Sequence, residues 1–98
     1  LPVEFTSAAK RDLYAIFDLI VARSSAPLTA TRYVERIEAR CRAIGNAPHA
    51  APPRLGLKRG IRLLPFERSA MVAYVIENET VVIARIFYRG RNYLKLLQ

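Results

Sequence analysis

Two runs dense in β-branched and aromatic side chains, residues 71–76 and 81–88, are separated only by Glu77, Asn78, Glu79 and Thr80. Side chains of this kind suit a pleated, half-buried surface. So short a polar break suits a tight antiparallel hairpin. This hairpin commits the second half of the chain to an antiparallel sheet, and a sheet with one apolar face needs a second layer to bury it. A further run, from Gly60 to about Glu67, alternates imperfectly, and Pro65 within it points to a bulge or an edge position. Arg62, Arg68, Arg85, Arg89 and Arg91 all lie in or beside these strands, so the function is expected on an arginine-edged sheet.

The first half supplies the covering layer. Residues 3–5 read as a short terminal strand, and Thr6 or Ser7 offers a side-chain oxygen to cap a helix. From Ala8 to about Arg23, Ala9, Leu13, Ile16 and Ile20 fall on one helical face. Tyr14, Phe17 and Val21 widen that stripe, which suggests contact with a partner as well as with the sheet. Pro27 ends the pattern, because proline cannot continue a helix interior. A second helix is expected from about Leu28 to Ala30 onward, with Thr29 as its cap. Its core face is Tyr33, Ile37, Cys41 and Ile44, and its polar face carries Arg32, Glu35, Arg36, Glu38, Arg40 and Arg42. Glu38 and Arg42 are an i,i+4 pair. Gly45 and Asn46 are expected to end the helix in the left-handed conformation. Two amphipathic helices joined so closely fold back on each other. Residues 47–59, with Pro48, Pro52, Pro53 and Gly56, form one long loop of the kind that is often functional or mobile. The expected fold is a single α+β domain over residues 1–98, of order β-α-α-β-β-β. An αα-hairpin packs on a three- to four-stranded antiparallel sheet, and residues 93–97 add a helical turn or a tail.

Charge narrows the function. The chain carries 16 Lys+Arg against 8 Asp+Glu, a formal net charge of +8, and only Lys10, Lys58 and Lys95 are lysine. Arginine binds carboxylate and phosphate through a planar fork and stacks on aromatic faces. The excess therefore points to a polyanionic partner, beyond the solubility that surface charge gives any protein. Cys41 is the only cysteine, so no intrachain disulfide can form, and a reducing compartment is expected. One cysteine and one histidine, His49, do not make a zinc site, and no cofactor is expected. No apolar run approaches the roughly 20 residues of a membrane span, and the start lacks the features of a signal peptide. A cytoplasmic protein with no membrane partner is expected.

Four stretches in order resemble the ParE branch of the RelE/ParE superfamily of bacterial toxins. Residues 6–16 are similar to the family's opening helix, with Ala9, Asp12, Leu13 and Ile16 at the matching places. Residues 32–37 resemble its second-helix pattern. Residues 58–62 resemble its basic entry to the sheet, and residues 83–92 its last strand. The resemblance implies the toxin of a type II toxin–antitoxin pair, which poisons DNA gyrase and so blocks replication. A small ParD-like antitoxin with an acidic C-terminal segment would neutralise it by wrapping around the toxin, and DNA would be reached only through that antitoxin. It also implies an alternative, since RelE-like relatives cut mRNA on the ribosome.

RNA cleavage at a 2′-hydroxyl needs a base, an acid and cations on the phosphorane. Arg62 and Arg91 would supply cations here, with Tyr88 or Tyr93 as acid or base. Where RNase relatives carry an arginine this chain has Met71, and where they carry the C-terminal tyrosine it has Leu97. The cleavage set is incomplete, so action by binding is expected, with no catalytic residues. The expected target-binding surface is Arg59, Arg62, Tyr88, Arg89, Arg91 and Tyr93. Tyr14, Phe17, Val21, Ile61, Leu63 and Phe66 are expected to line a groove for the antitoxin segment. A third reading, a basic nucleic-acid-binding module without toxic activity, predicts salt-dependent binding in the absence of any partner.

Overall fold

The computed structural model describes residues 1–58, 60–91 and 93–98. Its elements run β1 (Val3–Phe5), α1 (Ser7–Ser24), α2 (Pro27–Ala43), a 3₁₀ turn at Ile44–Asn46, β2 (Arg62–Phe66), β3 (Ala70–Glu77), β4 (Thr80–Tyr88) and α3 (Tyr93–Leu97). The strands form one sheet in the order β1-β4-β3-β2. β2 and β4 flank β3 in antiparallel pairing, while β1 lies parallel to β4, so the four-stranded sheet is mixed. The helical hairpin covers one face.

The central hairpin turns through Asn78 and Glu79, both with positive φ, which matches the twist of the flanking strands. The β2–β3 connection repeats the device with Glu67 and Arg68. Pro65 sits on β2, at the edge of the sheet, where a missing donor does little harm. The bulge lies elsewhere. Ala73 pairs with Arg85 and Tyr74 with Ile83, which leaves Ala84 as an extra residue in β4. One inserted residue reverses the alternation of faces. Ile83 and Ile86 therefore both enter the helix-side core, joined by Val72, Tyr74 and Val81.

Thr6 caps α1, accepting from the Ala9 amide at 3.0 Å and donating to the carbonyl of Ala84 at 2.8 Å. The cap thus ties the helix start to the bulge. Thr29 does not cap α2. Pro27 opens that helix one turn earlier, and Ala26 at the cap position makes no side-chain bond. Gly45 and Asn46 do not take the left-handed conformation either. Glycine is needed at position 45 because a Cβ there would collide with the Leu1 carbonyl oxygen and crowd the Val3 side chain.

Tyr33, Ile37, Cys41 and Ile44 are all buried, together with Ala9, Leu13 and Ile16 of α1. Each large side chain removed from water in this way contributes about 1.5–3 kcal/mol. Burial pushes the Cys41 thiol up to about 12. The α1 layer is also fixed by charge. Asp12 accepts two bonds from Arg85, at 2.8 and 3.0 Å, and one from the Ile86 amide at 2.8 Å. β1 pairs with β4 only as far as Ile83, so Asp12 serves the strand edge that β1 leaves open.

Candidate functional site

The strand β4 ends at Tyr88, and Arg89 and Gly90 follow with φ of 48° and 68°. This left-handed pair turns the chain sharply, held by the Arg89 amide donating to the Ser69 carbonyl at 2.8 Å. Arg89 donates through Nε to the Tyr88 hydroxyl at 3.0 Å, and its guanidinium lies 5.3 Å from the Tyr88 ring centroid. That bond and the neighbouring tyrosine hold the Arg89 guanidinium still more firmly protonated. Arg91 is exposed and lines a shallow depression with Asp12, Leu19, Ile86 and Tyr88. On the outer face of the sheet, Arg68, Arg89 and Arg91 rim a small groove whose floor includes Met71 and Phe87. Tyr93 packs on Phe87 with ring centroids 6.0 Å apart. The structure therefore brings Tyr88, Arg89, Arg91 and Tyr93 together at one end of the sheet.

Met71 and Phe87 face each other across β3 and β4. Leu97 is buried beside Phe87 and Ala73, under the outer cluster that α3 completes. Among the described residues, no carboxylate or imidazole lines this groove. The arrangement offers cations and aromatic surface, which suits binding an acidic surface better than transferring protons.

One expected member of this set, Arg62, is not found here. Arg59 lies outside the described residues. Arg62 pairs with Tyr74, four residues along β3 from Ala70, the partner of Tyr88. That places it about 13 Å along the sheet from the basic end. Its guanidinium is occupied there, donating to the Ala51 carbonyl at 2.5 Å beside His49 Nδ1 at 3.4 Å. Tyr74 donates to the Pro48 carbonyl at 2.9 Å, so the two side chains pin the proline-rich loop to the sheet.

The six residues expected to hold an antitoxin segment do not share one groove. α1 packs on α2 and β4, away from β2. Ile61 is buried and Leu63 half-buried in the outer cluster, on the sheet face opposite the helices. Phe66 is 7% exposed in the helix-side core, edge-on to Tyr33 at 5.7 Å. Tyr14 and Phe17 do line an open groove, of about 490 Å³, with Phe5, Leu13 and Val34. Tyr14 is 74% exposed. Lys10, Asp18, Glu38 and Arg42 surround it, and Arg42 lies 5.3 Å from the Phe5 ring centroid. Val21 is half-buried one turn beyond.

A second basic groove lies at the turn end of the helical hairpin, where Arg23, Arg32 and Arg36 meet Arg89. These helix arginines read as an ordinary solvated face in the sequence. The one signal that marks them is the absence of any acidic residue in the first turn of α2. Among the described residues, no group of three His, Cys, Asp or Glu side chains is placed to hold a metal ion, and no helix is long and apolar enough to cross a membrane.

A family model described as the ParE toxin of the type II toxin–antitoxin system, parDE, matches residues 3–93. None of the curated proteins matches the sequence. Among solved structures, the chain is similar to one from the chromosomal ParDE TA system of P. aeruginosa, with 24% identity and a TM-score of 0.79. That match covers 92% of this chain and 97% of the other. The isolated E. coli RelE toxin follows at 10% identity and a TM-score of 0.59, covering 97% of this chain and 90% of that one. A metal-bound toxin from Helicobacter pylori aligns at 15% identity and a TM-score of 0.55, over 94% of this chain and 98% of the other.

Proposed function

The chain belongs to the ParE toxin family of type II toxin–antitoxin systems, and from that premise we propose that it acts by binding, with DNA gyrase as target and a small ParD-like antitoxin as neutraliser. The target surface is the basic end of the sheet, where Arg89 and Arg91 stand exposed, with Tyr88 on the helix side and Tyr93 on the outer face. The observation that carries this reading is the floor of that groove. Met71 and Phe87 occupy it, and neither can accept a proton or hold a phosphorane. The antitoxin surface is the groove of Phe5, Leu13, Tyr14, Phe17 and Val34. Its apolar floor and mixed-charge rim suit an amphipathic helix, with Tyr14 and Phe17 as anchors.

The RelE-like endonuclease reading draws on likeness of fold at 10% identity. It would have to draw its acid and base from tyrosines such as Tyr93, since no carboxylate or imidazole lines the outer groove among the described residues. One pair of assays separates the two readings: gyrase supercoiling with purified protein, run beside cleavage of mRNA on programmed ribosomes. Lost supercoiling or accumulated cleaved plasmid, relieved by the antitoxin, is expected with mRNA left intact. Site-specific cuts in the mRNA with gyrase unaffected would overturn the proposal.

A further inference from the structure

The groove at the turn end of the helical hairpin, about 540 Å³ in volume, collects four arginines from three parts of the chain. Arg23 comes from the last turn of α1, Arg32 and Arg36 from successive turns of α2, and Arg89 from just beyond β4. Ser69 and Tyr88 place side-chain oxygens among them. Among the described residues, no carboxylate lines the groove. The neighbouring Glu67 is engaged by Arg36 in a two-point bridge, at 2.8 and 3.0 Å. Among the described residues, Arg23 and Arg32 have no ion-pair partner. The first turn of α2 reaches the groove through Thr29, with neither a side-chain cap nor an acidic residue to offset the positive end of the helix. Like charges gathered this closely repel one another, and the chain itself supplies little to neutralise them.

We infer that this groove binds a phosphate group, carried by a nucleotide or by a single strand of nucleic acid. Guanidinium groups arriving from several directions match a tetrahedral oxyanion, which accepts bonds on all sides, better than a planar carboxylate. Arg89 lying over Tyr88 gives a flat cationic and aromatic surface beside the arginines, of the kind on which bases stack. The volume falls within the roughly 300–1,000 Å³ of small-molecule sites. The groove lies on the helix side of the sheet, away from the floor formed by Met71 and Phe87, and its chemistry does not depend on gyrase. It also departs from the expectation that this protein reaches nucleic acid only through an antitoxin.

The test compares two double charge reversals with the same change in net charge. Arg23→Glu with Arg32→Glu strikes the groove. Arg11→Glu with Arg40→Glu is the control, displaced along the same helices by twelve and eight residues, about 18 and 12 Å. All four positions are exposed on helices, so the folds are expected to hold, and circular dichroism checks them. The probes are a labelled single strand of about 12 nucleotides, a nucleoside triphosphate, pyrophosphate, and an acidic peptide of matched charge. Saturable binding of a phosphate probe is expected, weakened about tenfold or more in the groove variant and about twofold or less in the control. The log–log salt slope for the strand should flatten by about one to two in the groove variant alone. Equal affinity for triphosphate and strand would assign the site to a free nucleotide, and tighter strand binding to a nucleic acid. Equal losses in the two variants, tighter binding of the acidic peptide, or no saturable binding of any phosphate probe would overturn the inference.

Discussion

The two helices of the hairpin build a groove at each end, and the two grooves have opposite characters. Where the start of α1 meets the end of α2, the groove is floored by Phe5, Leu13, Phe17 and Val34, with both signs of charge on its rim. Where the end of α1 meets the start of α2, four arginines gather and, among the described residues, no acid lines the cavity. Both helices carry apolar and charged residues along their whole length, so amphipathicity alone does not distinguish the ends. The partners brought alongside do. β1 delivers Phe5 to one end, and the ends of β2, β3 and β4 deliver Ser69, Tyr88 and Arg89 to the other. One groove is thus lined by cations, while the other has an apolar floor and a rim of both signs.

The largest expected effect removes the scaffold that both ends share. Asp12→Ala deletes a buried carboxylate that accepts three hydrogen bonds, and leaves Arg85 without its partner. Breaking such a pair costs about 3–5 kcal/mol, toward the lower figure here because the Arg85 side chain is 28% exposed. Urea denaturation should show this loss, with both grooves failing together. A scaffold that loses only one groove on this substitution would break the comparison.

The next effect separates the ends. Tyr14→Ala with Phe17→Ala should weaken binding of an antitoxin-derived helix about a hundredfold, since anchors of this kind carry about 2 kcal/mol or more apiece and do not add fully. Calorimetry should show that loss while phosphate binding at the other end is unchanged.

A smaller effect reaches both ends equally through the core. The Cys41 thiol is raised by burial from its ordinary 9.0 to about 12, so the unfolded chain loses its proton first. Stability from this residue is complete below about pH 9 and falls as pH rises toward 12. Between pH 7 and 10 it should fall by about 1 kcal/mol. Cys41→Ala should remove that part of the alkaline loss, measured by urea titration at the two pH values. The smallest expected change comes from Arg62→Ala, which frees the loop from the sheet at Ala51. Faster proteolysis within residues 47–58 is expected, with target inhibition reduced less than by Arg91→Glu.

Much of this layout was legible from residue spacing. Tyr33, Ile37, Cys41 and Ile44 lie on one helical face and are buried together, and the short break at Asn78 and Glu79 forms the turn its length demands. What spacing does not carry is pairing between distant segments. A three-residue strand holds too little pattern to show that β1 lies parallel to β4. The bulge at Ala84 reverses the faces within one continuous apolar run, which local alternation cannot reveal. Arginines mislead for a related reason. Arg62 and Arg85 read like Arg89 and Arg91, yet the first two are spent on Ala51 and Asp12, 11 and 73 residues away. The turn-end groove is hidden for the same cause, being assembled from α1, α2 and the ends of three strands.

Gyrase inhibition by Tyr93→Phe and Arg91→Glu, set against the unaltered protein, tests the claim of action by binding most directly. Supercoiling should still be inhibited after loss of the Tyr93 hydroxyl and should recover about tenfold or more after reversal of charge at Arg91. Loss of toxicity on removing the hydroxyl alone, together with cleaved mRNA in the unaltered protein, would contradict the account and identify a nuclease.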